Sequence, residues 1–173
     1  MSLILETPRL ALRELTFDDL DFVAAMLTHP EVMQFWPRPY TRDEAADWIH
    51  RQQQRYSRDG FGYWLALDKT AGQPIGQAGL LTQELDGVVE IGIGYMLHRP
   101  FWGKGYATEA ALGCRNHAFG KLDKPRVTAT VRPENLPSRR VAERIGLKFE
   151  RMTTWANLPH LLFAASKPAT PHK

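Results

Sequence analysis

Tyr95-Met-Leu-His-Arg-Pro-Phe-Trp-Gly-Lys-Gly-Tyr-Ala-Thr-Glu-Ala110 reads as the end of a strand, a short loop with two glycines, and the first turn of a helix. Before it, Glu90-Ile-Gly-Ile-Gly-Tyr-Met-Leu97 is rich in strand formers. After it, Ala107, Ala110, Ala111, Cys114 and Ala118 fall at helical spacing on one small apolar face. Gly103 and Gly105 free the backbone for positive φ and for close approach to a ligand. The free N–H groups of a helix's first turn favour negative charge, so the junction suits a phosphate or pyrophosphate. Taken alone, the two glycines fit a plain turn before an amphipathic helix equally well.

Upstream, Arg9–Glu14 alternates as a first strand, expected at a sheet edge beside Pro8. Thr16-Phe-Asp-Asp19 supplies an N-cap and first-turn acids for a helix to about Leu27, ended by His29-Pro30. Pro37 and Pro39 make Phe35–Tyr40 a loop, expected to carry three exposed aromatics. Thr41-Arg-Asp-Glu44 fits a capping box and starts a helix to about Ser57. Strands follow at Phe61–Leu67 and Pro74–Leu81, with a hairpin at Leu85-Asp-Gly87 leading into Val88–Leu97.

Downstream, a helix from about Gly105 to Phe119 precedes a strand at Arg126–Val131 and a short helix at Pro137–Ile145. Strands at Lys148–Trp155 and Leu158–Ala165 close the pattern. The order predicts an α/β protein with a mixed sheet. One domain is expected over residues 1–166, with a flexible C-terminal tail over 167–173.

With 43% hydrophobic and 24% charged residues, the composition is that of an ordinary soluble globular protein. The apolar runs are too short to span a bilayer and the N-terminus has no signal-peptide pattern, so no membrane association is expected. A single cysteine allows no internal disulfide and fits a reducing cytosol, hence a cytoplasmic location. A net charge of +3 admits an acidic ligand without marking a nucleic-acid binder. The six histidines are scattered, none paired with another His or Cys at ligand spacing, so no metal site is expected.

Three further pieces stand with the glycine stretch along the chain: Thr7-Pro-Arg-Leu10, Glu90-Ile-Gly-Ile-Gly-Tyr95, and Asn135-x-x-Ser138 before Ile145-Gly-Leu-x-Phe149. With Trp102-Gly-Lys-Gly-Tyr-Ala-Thr-Glu-Ala110 they resemble the GNAT superfamily of acyl-CoA-dependent N-acetyltransferases, most closely its RimJ/RimL branch of ribosomal-protein N-terminal acetyltransferases. The resemblance implies a single GNAT fold with a mostly antiparallel, splayed sheet flanked by helices, and acetyl-CoA as co-substrate. It implies that Gly103–Ala107 bind the coenzyme pyrophosphate, with Trp102, Lys104 and Tyr106 in the same loop. It further implies that the backbone at Tyr95–Leu97 pairs with the pantetheine arm as an added strand would. Pro100 stands where the family usually has Gln or Arg, and it has no N–H to give.

Within this resemblance Asn135 hydrogen-bonds the pantetheine or a bridging water, although Asn-x-Pro also favours turns. Ser138 is a candidate to protonate the departing thiolate, or a helix cap. The Tyr that many relatives carry on the following helix is absent here. Glu90 is a candidate base for the substrate ammonium, or a solvent-facing strand residue; Glu150 is an alternative base. Backbone N–H groups near Ile93–Tyr95 are candidate oxyanion donors. Cys114 sits on the apolar stripe of its helix, so core packing and direct attack by the amine are expected.

The acceptor amine is expected to be a peptide or protein N-terminus, or a small singly charged amine. The resemblance implies that Trp36, Tyr40 and the Thr41–Ser57 helix lie in the region that walls the acceptor cleft. The segment's Asp43, Glu44 and Asp47 against Arg38, Arg42, Arg51 and Arg55 make a balance unsuited to a polycation. A homodimer is a further expectation. Two competing functions are a non-catalytic acyl-CoA sensor of the same fold and a dinucleotide-dependent oxidoreductase. The latter needs a tight strand-to-glycine turn and an acid ending the next strand, and the chain has neither.

Overall fold

A computed structural model describes residues 2–170. Its strands are β1 (Leu3–Glu6), β2 (Leu10–Glu14), β3 (Tyr63–Asp68), β4 (Pro74–Leu85), β5 (Val88–Leu97), β6 (Arg126–Val131), β7 (Lys148–Trp155) and β8 (Leu158–Ser166). The helices are α1 (Leu20–Leu27), α2 (Arg42–Asp59), α3 (Tyr106–Gly120) and α4 (Leu136–Arg144), with short 3-10 turns at Phe17–Asp19 and Arg99–Phe101. The strands form one sheet in the order β1-β2-β3-β4-β5-β6-β8-β7, antiparallel except where β5 meets β6. This is not the doubly wound parallel sheet that a dinucleotide fold requires.

The expected mixed α/β architecture is therefore present, with local differences. β1 went unread, because four residues before a proline carry little periodic signal; it pairs with β2 and takes the sheet edge assigned to the first strand. β4 continues to Leu85, four residues past its expected end, since it pairs with β5 from Gly76 through Leu85. The β4–β5 turn uses positive φ at Asp86 and Gly87, as a two-residue hairpin needs. The tail expected over 167–173 extends beyond the described residues at 171–173.

Two cores lie on opposite faces of the sheet. On one, Ala110, Ala111, Cys114 and Ala118 of α3 pack against Leu80, Ile93, Val127 and Ala129, small side chains bringing the helix close to the strands. On the other, Val23, Met26 and Leu27 of α1 and Ala45, Trp48 and Ile49 of α2 cover Tyr63 and Leu65. Thr41 and Glu44 form the expected reciprocal capping box that starts α2.

Candidate active site

β5 follows β4 to the pair Gly76–Leu97, but its ladder with parallel β6 is confined to Gly92–Thr128. Past that point the two strands separate, and the flank of Tyr95–Leu97 faces open space instead of a neighbouring strand. A cleft of about 530 Å³ occupies this gap, within the range of small-molecule sites. Tyr95, Met96, Leu97, the 102–108 loop, and Asn135, Pro137 and Ser138 line it.

Gly103 and Gly105 take φ of +76° and +78°, left-handed values that a β-branched residue resists. Gly105 is the N-cap of α3 and offers no side chain to the helix end. The first backbone bond of the helix runs from Glu109 N–H to the Gly105 carbonyl (3.1 Å), which leaves the N–H groups of Gly103 through Thr108 without an acceptor among the described residues. Trp102 donates its indole N–H to the Leu97 carbonyl (2.9 Å), so its ring is a fixed wall at the strand end. Lys104 is exposed and lies over the Phe101 ring, 5.7 Å from the centroid; it is not among the lining residues.

Asn135 is the N-cap of α4: its side-chain oxygen accepts the Ser138 N–H (3.2 Å). Its amide nitrogen has no partner among the described residues and remains a donor at the cleft wall. The cap is thus Asn135, and Ser138 is the third residue of the helix, with its hydroxyl directed elsewhere. Ser138 Oγ donates to Tyr95 Oη (3.0 Å), and Tyr95 Oη donates to the Ser138 carbonyl (2.8 Å). Burial pushes the Tyr95 phenol pKa up, so it stays protonated throughout the neutral range.

The opposite wall is formed by Glu31, Val32, Gln34, Phe35 and Trp36. The loop aromatics, expected to be exposed, are half-buried, because Trp36 meets Tyr40 and Trp48 edge-to-face at 5.8 and 6.1 Å. Tyr40 and α2 therefore stand behind Trp36 instead of lining the cleft themselves. Glu31 is the one carboxylate on the described lining, and Arg99 holds it (2.9 Å) while stacking on Trp102.

Glu90 is not brought to this site. It is neither solvent-facing nor on the cleft: it is 7% exposed and its carboxylate is paired with Arg126 (3.2 Å). Five residues of extended strand, roughly 16 Å, separate it from Tyr95. Glu150 converges on the same guanidinium (2.8 Å), which holds its carboxyl below the ordinary range. Cys114 is fully buried, its thiol pushed up by desolvation, which suits packing and not nucleophilic attack.

Pro137, Arg140, Val141 and Arg144 also line the cleft and were overlooked. Their spacing of three, four and seven residues marks one face of α4, a signal present in the sequence. Behind the glycine loop, Thr7, Arg9 and Glu109 form a cluster that sequence alone does not bring together.

The profile of the acetyltransferase (GNAT) domain matches residues 9–148. The chain is 33% identical over 138 residues to the uncharacterized N-acetyltransferase p20 of Bacillus licheniformis, covering 78% of this chain and 76% of that protein. Its fold is similar to an acetyltransferase of Agrobacterium tumefaciens (TM-score 0.83, 26% identity, 95% and 94% of the two chains). It is likewise similar to RimL, a ribosomal L7/L12 α-N-protein acetyltransferase in complex with coenzyme A (TM-score 0.78, 17% identity, 95% and 98%). A splayed sheet, a glycine loop opening a helix at the gap, and a profile match over most of the length agree: the chain belongs to the GNAT acetyltransferase family.

Proposed function

We propose that this cleft binds acetyl-CoA on the glycine loop and α4, and that the chain transfers the acetyl group to a primary amine carrying a single positive charge. The observation that carries the reading is the run of N–H groups from Gly103 to Thr108 without acceptors, at a helix start open to the cleft. Such a row matches the charge and the close approach of a pyrophosphate. The free Asn135 amide and the unpaired flank of Tyr95–Leu97 are complementary to an amide-bearing arm laid along the strand.

When bound, acetyl-CoA supplies an acetyl thioester already activated for attack. In this reading the Ser138 Oγ–H turns from Tyr95 to hydrogen-bond the departing thiolate, which ends as the thiol with the proton given up by the attacking nitrogen. The Tyr95 hydroxyl can then donate to the Ser138 oxygen. The N–H groups near Ile93–Tyr95 are the oxyanion donors in this reading. Among the described lining residues no carboxylate is free to act as a strong base, which fits an α-amine of pKa about 8, partly neutral at physiological pH.

The acceptor wall supports the amine class. Val32, Phe35 and Trp36 offer apolar surface, Glu31 is engaged by Arg99, and Arg140 and Arg144 stand across the cleft. A polyamine or aminoglycoside would lose hydration there without matching carboxylates. A peptide α-amine or a small singly charged amine would not. The test is a panel of peptides, amino acids, polyamines and aminoglycosides, following coenzyme A release. Turnover with peptides or monoamines is expected; efficient polyamine turnover with inert peptides would overturn the acceptor class. Coenzyme binding without turnover of any amine would make the chain an acyl-CoA sensor.

A further inference from the structure

Thr7-Pro-Arg9 lies about a hundred positions before the glycine loop, yet its groups meet that loop from behind. Arg9 Nη1 donates to the Lys104 carbonyl (2.9 Å) and Arg9 Nε to Glu109 Oε2 (2.6 Å), so one planar guanidinium ties the loop to the first turn of α3. The other Glu109 oxygen accepts from Thr7 Oγ (2.6 Å) and from the Arg9 N–H (2.7 Å). The guanidinium lies 4.3 Å from the centroid of the Tyr106 ring, whose hydroxyl donates to Asp68 (2.7 Å). Asp68 is itself fixed in the β3–β4 turn, where the Lys69 N–H also holds the Arg9 carbonyl (2.9 Å). The carbonyl of Lys104 is thereby drawn to the rear of the loop.

A left-handed glycine loop without a bracket has many alternative backbone states, and only one aims its N–H groups together. From this geometry we infer that Arg9 is a positioning residue: with Glu109 and Thr7 it pre-sets the pyrophosphate loop, and so governs donor binding through the coenzyme's diphosphate and not through its thioester. The inference rests on the acetyl-CoA reading of the cleft.

The test compares acetyl-CoA with S-acetylpantetheine, which has the same thioester and no pyrophosphate, in the full-length protein. Arg9→Ala is expected to raise the KM for acetyl-CoA about tenfold, with kcat nearly unchanged, and to leave kcat/KM for S-acetylpantetheine at the wild-type value. Glu109→Gln keeps the Arg9 charge but removes its carboxylate partner, and is expected to give the same donor-selective loss. Thermal melting of both variants shows whether either has lost its fold, and the other then carries the comparison. A parallel fall with both donors would reduce Arg9 to a structural residue. A Glu109→Gln variant with wild-type discrimination would overturn the bracket in favour of simple charge attraction. If the wild type transfers acetyl from neither donor, the titration of coenzyme A reads the same Arg9→Ala loss as weakened affinity; absence of wild-type binding would overturn both readings.

Discussion

The hydroxyls of Tyr95 and Ser138 are 3.0 Å apart and belong to elements separated by 43 positions in sequence. The tyrosine comes from the splayed strand and the serine from the first turn of α4, so their contact links two elements that both line the cleft. The serine hydroxyl donates to a phenol that burial keeps protonated. Removing the serine should therefore affect the chemical step more than binding. Ser138→Ala is expected to lower kcat about tenfold, below the usual contribution of acid assistance because a coenzyme thiolate leaves readily, with the acetyl-CoA KM unchanged. Tyr95→Phe should cost about threefold, and the double variant no more than Ser138→Ala alone, since the two act in one chain of hydrogen bonds. Steady-state kinetics of the three variants check this; wild-type kcat in Ser138→Ala would contradict it.

Glu90 offers the opposite case, a carboxylate with a structural partner. Because it is buried and paired, Arg126→Met should destabilise the fold by about 3 kcal/mol by stranding that charge. Glu90→Gln should cost about 1 kcal/mol and keep kcat within about threefold of wild type. Urea unfolding and the turnover assay read these two quantities separately. A Glu90→Gln variant of normal stability but severely reduced kcat would restore Glu90 as the base.

These two residues show what sequence could and could not reveal. Val88–Leu97, Arg126–Val131 and Lys148–Trp155 were legible to the residue, because each has an unbroken strand pattern bounded by turn residues or glycine. The glycine loop was legible because positive φ leaves a chemical mark, the lack of a side chain. Glu90 was misplaced because its surroundings depend on Arg126, which only strand order brings alongside. Arg9 was legible only as part of the Thr7–Leu10 piece and the start of a strand, since its partners lie 95 and 100 residues away. The acceptor wall moved from Tyr40 and α2 to Glu31–Trp36 for a similar reason: edge-to-face aromatic packing decided which ring faces the cleft.

Gly105→Val places a β-branched side chain at a φ of +78°, beside Arg9 and on the surface that a phosphate must approach. The KM for acetyl-CoA should rise by about a hundredfold, as expected when close backbone approach is blocked at a bound group. The loop is exposed, so circular dichroism should report an unchanged fold. Wild-type donor affinity in this variant would remove the loop from the binding site.

Acid should weaken the fold before carboxylates titrate. His98, His117 and His160 each have a pKa lowered by burial from the ordinary 6.5. With folded values depressed, the unfolded chain takes up protons first as pH falls. The stabilising difference is complete above about pH 6.5 and is lost progressively below it. Melting temperature should therefore decline from pH 7.5 to pH 5.5, and His160→Gln should flatten that decline. A melting temperature independent of pH across this range would contradict the burial assigned to these rings.

Coenzyme binding is tested most directly by calorimetric titration of the purified chain with acetyl-CoA, and in parallel with NADH. Saturable binding of acetyl-CoA, a matching rise in melting temperature, and no heat with NADH are the expected results. No heat with either acetyl-CoA or coenzyme A would contradict the assignment of the Gly103–Thr108 N–H groups to a pyrophosphate, and with it the proposed chemistry of the cleft.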